Sequence, residues 1–363
     1  MLVFFILLLI LGTALELSSL RSDLSYIGYD CKIDKRSCEP GEAFRVTTSI
    51  TNRRRLPVSF LRLEEHLPRE LAIVRGETLD LREEKGFLNH CSTIFLMPRQ
   101  ILSRTLTASL PGRGRYIFRG AEIYSGDFLG FRELGQSFRL AEEVVVFPAA
   151  SALPELGNIL GGFLGEMSVQ RFILEDPVLT LGFREYTGRE PQRAISWPQS
   201  LSKGRLMVKN YDYTQEASVT VVLNTDYGRK AVKDPRLVEE AFSLARSVCA
   251  FLEQKKIKYS FLTNATAAGN LGCWSLLAEG LGANHFYTIL EGLGRATYDH
   301  TEPCRNLFLR AEKRAEQGQA HVVITPKASP NFDGYVRRLK DLTGCPVCVL
   351  AASPEPAAEE QEA

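Results

Sequence analysis

Between residues 44 and 51 apolar and polar side chains alternate. Phe44, Val46, Thr48 and Ile50 fall on one face and Arg45, Thr47, Ser49 and Thr51 on the other, the period of two that predicts a half-buried strand. The turn Glu39-Pro40-Gly41-Glu42 opens it. Strand-like stretches recur at 101–110, 116–124 and 144–147, separated by Pro111-Gly112, Ser125-Gly126-Asp127 and Leu134-Gly135. Short strands with turn punctuation and no long helical stretch between them predict an antiparallel β-sandwich over residues 26–150.

After Pro148 the pattern changes. Gly157, Gly161, Gly162 and Gly165 read as a Gly-rich link within a linker over residues 151–216 that carries a signature segment. From Ser218 strand and helix alternate. The β-branched run 218–223 is a strand buried on both faces. Asp234 caps and Pro235 opens a helix whose apolar positions Leu237, Val238, Ala241, Leu244, Ala245, Val248 and Leu252 keep helical spacing. Further buried strands fall at 257–262, 321–325 and 346–350, with helices at 285–293, 303–316 and 332–342. This alternation predicts an α/β domain over residues 217–352, a mostly parallel sheet wrapped by helices. The tail 353–363, almost all Pro, Ala, Glu and Gln, is expected to be disordered.

Residues 1–15 carry no charge. As a helix they reach about 22 Å, less than a hydrocarbon core of about 30 Å, unless residues 16–20 extend them and Glu16 snorkels to the interface. We read residues 1–20 as an N-terminal transmembrane helix. Arg21, Lys32, Lys35 and Arg36 follow this segment and no Lys or Arg precedes it, which places the rest of the chain in the cytosol. A cleaved signal peptide is the competing reading; Gly12 and Ala14 favour it and the missing basic start opposes it.

Composition narrows the function classes. With 45% apolar residues the chain fills real cores, and 44 basic against 43 acidic residues leave a net charge of +1. No global positive charge is available for nucleic acid or anionic lipid. Eight cysteines at no disulfide-framework spacing fit a reducing compartment. Asn264-Ala265-Thr266 is a formal glycosylation sequon and reads as a loop after a strand.

The segment 183–197 contains Arg184, Tyr186, Gly188, Arg193, Ile195 and Trp197, and Arg189-Glu190 follows Gly188. This resembles the R-x-Y-x-x-G-D-x-x-R-x-I-x-W block of the bacterial domain of unknown function 58 family, with Arg189-Glu190 where Gly-Asp is usual. Upstream, Arg113-Gly114-Arg115-Tyr116, the stretch Gly126-Asp127-Phe128-Leu129-Gly130 and Val146-Phe147-Pro148 are similar to further elements of that family. The resemblance implies a von Willebrand factor A-like, Rossmann-type α/β domain that acts as an adaptor and a MoxR-type AAA+ ATPase as partner.

Three roles suit the signature residues. They can lock a domain junction through guanidinium forks, they can form an Arg, Tyr and Trp docking surface, or Arg184, Arg189, Arg193, Lys203, Arg205 and Lys209 can hold phosphate or single-stranded nucleic acid with Trp197 stacking. The first is favoured, because the segment alternates as a half-buried strand would. No nucleic-acid fold signature accompanies the third, and no nucleic-acid partner is expected.

In the family the first strand of the A-like domain usually ends in D-x-S-x-S around Mg²⁺. Here Asn224-Thr225-Asp226-Tyr227-Gly228 stands there, and Ile324-Thr325-Pro326 ends a later strand. Asn224, Asp226 and Thr325 thus form a degenerate metal site lacking its usual charge, and no metal or other cofactor is expected. Cys345 and Cys348 have redox spacing but overlap an apolar strand, which favours buried structural thiols. His300 and Cys304 are too few ligands for zinc. No Ser elbow, phosphate loop or dinucleotide fingerprint follows a strand. The expectation is a membrane-anchored, non-enzymatic adaptor facing the cytosol that acts with the ATPase on another complex. The alternative is an extracytoplasmic adhesion or ligand-binding receptor with a cleaved signal peptide.

Overall fold

The protein's architecture is described from a computed structural model. It describes residues 4, 6, 10, 12–13, 24–75, 81–84, 86–126, 133–151, 155–173, 180–188, 190, 192–211, 218–226, 234–269, 274–316, 318–327 and 332–352. The chain divides into two compact units, Met1–Ala149 and Ala150–Ala363. Most of the apolar segment read as a membrane anchor lies outside the described residues, as does the tail 353–363. Among the described residues no helix is long and apolar enough to cross a membrane.

The first unit is a β-sandwich of strands β1 (Ile27–Ile33), β2 (Ser37–Cys38), β3 (Phe44–Asn52), β4 (Val58–Pro68), β5 (Ala72–Arg75), β6 (Leu81–Glu84), β7 (Phe87–Leu96), β8 (Ile101–Ser109), β9 (Gly114–Gly126) and β10 (Glu133–Val146). One sheet runs β1-β3-β8-β5 and the other β2-β10-β9-β4-β7-β6. In β3 the residues Phe44, Val46, Thr48 and Ile50 are buried, as the alternation predicts. Two apolar clusters fill the space between the sheets. One gathers Phe44, Val46, Leu67, Phe118 and Val144, the other Ile50, Leu61, Leu96 and Ile123. Where β9 meets β10 the register slips between Arg139 and Glu142. Gly120 sits there at φ +99°, and a Cβ would lie 2.0 Å from the Phe138 carbonyl oxygen, so this bulge admits only glycine.

One buried charge cluster interrupts the apolar filling. Glu65, 1% exposed, accepts from the Tyr29 hydroxyl at 3.0 Å and from the Arg104 guanidinium, which also donates to His90 Nε2. Burial and the neighbouring Glu65 carboxylate push the Tyr29 hydroxyl far above its ordinary pKa.

The second unit begins with helix α1 (Leu156–Ile173), then strand β11 (Thr180–Glu185), helix α2 (Trp197–Lys203) and strand β12 (Met207–Tyr211). The main sheet follows, built from β13 (Ser218–Leu223), β14 (Lys258–Thr263), β16 (Leu276–Gly280), β18 (Ala320–Thr325) and β19 (Val347–Ala351) in the order β16-β14-β13-β18-β19. All neighbours are parallel except the edge strand β16. A small ribbon pairs β15 (Ala265–Ala267) with β17 (Ala296–His300). Helices α3 (Pro235–Gln254) and α4 (Ala283–Arg295) cover one face of the sheet, and α5 (Cys304–Arg314) and α6 (Phe332–Thr343) the other. The Asp234 side chain accepts from the Arg236 amide at 3.0 Å, with Pro235 opening α3, as the cap pattern predicts.

The glycine-rich stretch expected to be a link is instead the helix α1. Leu156, Leu160, Phe163 and Met167 are buried and recur at helical spacing. They join the core that also holds Val219, Val221 and Phe261. The glycines are on the open side, where a Cβ at 157, 161, 162 or 165 would meet nothing within 4 Å. The stripe therefore packs like that of any amphipathic helix, and the glycines merely mask it.

Candidate functional site

The central strands of the parallel sheet carry side chains in three layers on the α5 and α6 face. In β13 the alternation puts Thr220, Val222 and Asn224 on that side, beside Ser260, Leu262 and Asn264 and beside His321, Val323 and Thr325. The middle layer is apolar and packs on Leu307, Phe308 and Phe332. The third layer stands at the carboxyl ends of the strands. There the connection after β13 runs to β14 on one side and the connection after β18 runs to β19 on the other, the kind of switch point where open α/β sheets bind ligands.

Asn224, Asp226 and Thr325 are brought together in that layer. The Asn224 side-chain amide donates to Thr325 Oγ1 at 3.1 Å and to the Asp226 carbonyl at 3.0 Å, and the Asp226 amide donates back to Asn224 Oδ1 at 3.1 Å. Asn264, fully buried, joins them: its Nδ2 donates to Asn224 Oδ1 at 2.9 Å and to the Glu302 carbonyl at 3.0 Å, while its Oδ1 accepts from the Thr225 amide at 2.8 Å. The Cys304 amide, at the start of α5, donates to Asp226 Oδ2 at 2.9 Å. Asp226 Oδ1 lies 3.8 Å from His300 Nε2.

This set does not fit a hard dication. Mg²⁺ needs several oxygen acceptors converging on one point. Asn224 instead turns its amide hydrogens onto Thr325, and its own oxygen already accepts from two donors. Among the described residues no three His, Cys, Asp or Glu side chains converge as a metal site. Asn264 is the residue that sequence reasoning missed. In the sequence it reads as a sequon in a loop, yet it is buried ahead of the short strand β15. The available signal was its position one residue past the end of β14, matching Asn224 past β13.

The signature segment forms its own small structure. Strands β11 and β12 pair antiparallel, a 3₁₀ turn spans Gln192–Ala194, and Ile195 bridges to Val208. Ile195 is buried and holds the platform. Arg184 is half exposed and its Nη1 donates to Glu190 Oε1 at 2.6 Å. The same carboxylate accepts from the Thr187 amide at 3.0 Å and hydroxyl at 2.9 Å. Burial works against the Glu190 charge, but the Thr187 hydroxyl and amide and the Arg184 guanidinium outweigh it and hold its pKa down at about 2. Gly188 turns the tip at φ +85°, and the Tyr186 amide donates to the Leu206 carbonyl at 2.9 Å. The Arg193 side chain and all of Arg189 lie outside what the structure describes.

Trp197 departs from the half-buried strand expected. It opens α2, and 63% of it is exposed. Leu201, one turn on, is 85% exposed, so the two share one face of the helix. The helix is firmly seated: the Ser196 amide donates to the Met207 carbonyl at 2.8 Å, and the Met207 amide donates to Ser200 Oγ at 2.8 Å. Gly204 at φ +65° ends it in the left-handed conformation.

The thiols are poorly suited to redox chemistry. Burial raises Cys345, and it pushes Cys348 up to about 11. Burial, with the Asp226 charge beside it, pushes Cys304 up to about 12. Thiolates, not thiols, attack.

No family model and no curated protein matches the sequence. Solved structures with partial likeness include a CARDB domain from Pyrococcus furiosus at 11% identity and TM-score 0.22, covering 34% of this chain and 97% of that one. A non-cellulosomal cohesin from Archaeoglobus fulgidus stands at 15% identity and TM-score 0.22, covering 32% and 90%. A membrane-anchored protein from Corynebacterium diphtheriae stands at 11% identity and TM-score 0.25, covering 34% and 36%. Likenesses at these scores carry no argument about what this chain does.

Proposed function

We propose that this chain is a non-enzymatic adaptor, anchored in the membrane by its apolar N-terminal segment and facing the cytosol. In this reading the second unit is a von Willebrand A-like binding domain that works without Mg²⁺, and its partner is the MoxR-type AAA+ ATPase that the domain of unknown function 58 resemblance implies. The observation that carries it is the pair Trp197 and Leu201, an apolar face left in solvent on a helix that Ser196, Ser200 and Met207 hold rigidly. An aromatic anchor on a preorganised element is the usual centre of a protein interface. The five-stranded sheet with one antiparallel edge and helices on both faces suits an A-like domain, and the amide network at its carboxyl edge suits one without an ion.

The test is capture of the MoxR-type ATPase by the full chain in detergent micelles. Trp197→Ala is expected to weaken capture by about 2 kcal/mol, roughly 30-fold, and to leave the melting temperature within about 1 °C. Unchanged capture by a Trp197→Ala, Leu201→Ser double variant would overturn the proposal.

A further inference from the structure

The layer at the amino ends of the same strands is also polar, and there it borders a cavity. Ser260, Thr220 and His321 lie in register across β14, β13 and β18. They occupy the face that one layer further on is filled by Leu262, Val222 and Val323. The cavity beside them has a volume of about 220 Å³, and Glu279, Arg314 and Glu316 stand at its rim. His321 is 1% exposed and Thr220 8%. Burying the His321 imidazole and the Thr220 hydroxyl within a sheet, with Ser260 half-buried beside them, is costly unless each finds partners.

The hydrogen bonds define what the wall offers. His321 Nδ1 donates to the Gln319 carbonyl at 3.2 Å, so Nε2 on this cavity-lining ring is an acceptor. Thr220 Oγ1 and Ser260 Oγ share one hydrogen bond at 2.9 Å. That bond uses one of their two hydroxyl hydrogens and leaves the other to donate. Burial pushes the His321 pKa down to about 4, so the ring is neutral at pH 7. The rim adds two carboxylates and one guanidinium.

We infer that this cavity binds a small neutral polyol, no larger than one sugar ring. A hydroxyl both donates and accepts, so it serves the imidazole acceptor and the spare hydroxyl donor together. A carboxylate guest cannot donate to Nε2 and faces Glu279 and Glu316. An ammonium guest cannot accept from the hydroxyl or from Arg314, and it would sit desolvated beside a neutral ring. The volume lies below the range of about 300–1,000 Å³ typical of drug-sized ligands. The inference is independent of the adaptor reading, because it uses neither Trp197 and Leu201 nor the carboxyl edge of the sheet.

The experiment titrates the full chain in detergent micelles with glycerol, D-glucose and myo-inositol separately, reading the ¹⁵N shift of His321 Nε2 by NMR. Acetate and ethylamine serve as the charged counterparts. A saturable shift with at least one polyol, at least tenfold weaker in Thr220→Val, is expected; where Thr220→Val fails to fold, Ser260→Ala takes its place. Absence of a saturable shift with all three polyols, tighter binding of acetate or ethylamine, or equal polyol affinity in the variant would each overturn it.

Discussion

The side-chain amide of Asn264 donates to the side-chain oxygen of Asn224 at 2.9 Å, tying together the ends of two adjacent parallel strands. A second carboxamide thus occupies ground where an ion-binding sheet would present carboxylates. Both residues are buried, with 1% or less of their surface exposed. Thermal melts of the parent protein are therefore expected to coincide with and without millimolar Mg²⁺. Asn224→Asp replaces the donor facing Thr325 Oγ1 and the Asp226 carbonyl with an acceptor, at a cost of about 1–3 kcal/mol. Millimolar Mg²⁺ should restore part of that loss, as differential scanning calorimetry would record. A large Mg²⁺ effect on the parent would show that its oxygens can rearrange around the ion.

The Glu190 carboxylate gives the tip of the signature hairpin its own acid transition. Its folded pKa of about 2 lies below the ordinary value of about 4.3. Its contribution is therefore complete above about pH 4.3 and is lost as the pH falls through about 2. The Thr187 amide proton, which it holds at 3.0 Å, should shift with a midpoint near 2 in an NMR titration. In Glu190→Gln the shift should vanish. A midpoint near 4.3 would mean that the hairpin tip is open in solution.

His321 acts in a different window. Its pKa of about 4 when folded stands against about 6.5 when unfolded, so the unfolded chain binds more protons between these values. Stability should fall as the pH drops from about 6.5 to about 4, by an amount on the order of 3 kcal/mol. Denaturant midpoints measured at steps across this range would reveal the slope. His321→Gln should lack that part of it, whereas an identical slope in the variant would assign it to other histidines.

The Glu65 and Arg104 pair offers a stability test in the sandwich. Arg104→Met leaves a carboxylate 1% exposed with only the Tyr29 hydroxyl on it, and should cost about 3–5 kcal/mol. Replacing both, as Glu65→Leu with Arg104→Met, should recover most of that loss. A double variant as unstable as the single one would show that the cluster also supports the strands in another way.

What the sequence made readable follows where its signals were undiluted. The run at 218–223 is the strand Ser218–Leu223 because every residue but the first is buried against a helix layer. Asp234 and Pro235 mark the start of α3 by chemistry that acts within one turn. β4 escaped notice because Glu64, Glu65 and His66 break its alternation, although Glu65 points inward to meet Arg104. At the ion-site edge, Asn224, Asp226 and Thr325 come from matching the family's ion-site pattern to the strand ends, whereas Asn264, although it also stands one residue past a strand, is masked by its sequon. Trp197 misled for a related reason. Ile195, Ser196 and Trp197 alternate locally, but the pairing that would continue a strand stops at Ile195, and a proline at 198 favours the first turn of a helix.

The glycine face of α1 sets the rank of that helix within its unit. Each glycine in a helix interior costs about 1 kcal/mol relative to alanine, and α1 carries them at 157, 161, 162 and 165. Its persistence rests on the stripe of Leu156, Leu160, Phe163 and Met167, with Leu164 packed beside it. Loosening that packing is expected to melt this helix while the ladders of the five-stranded sheet stay intact. In native-state hydrogen exchange its amides should lose protection well before those of Ser218–Leu223. Opening of this segment ahead of the sheet should also make it the earlier site of proteolytic cleavage within its unit, as limited proteolysis would record.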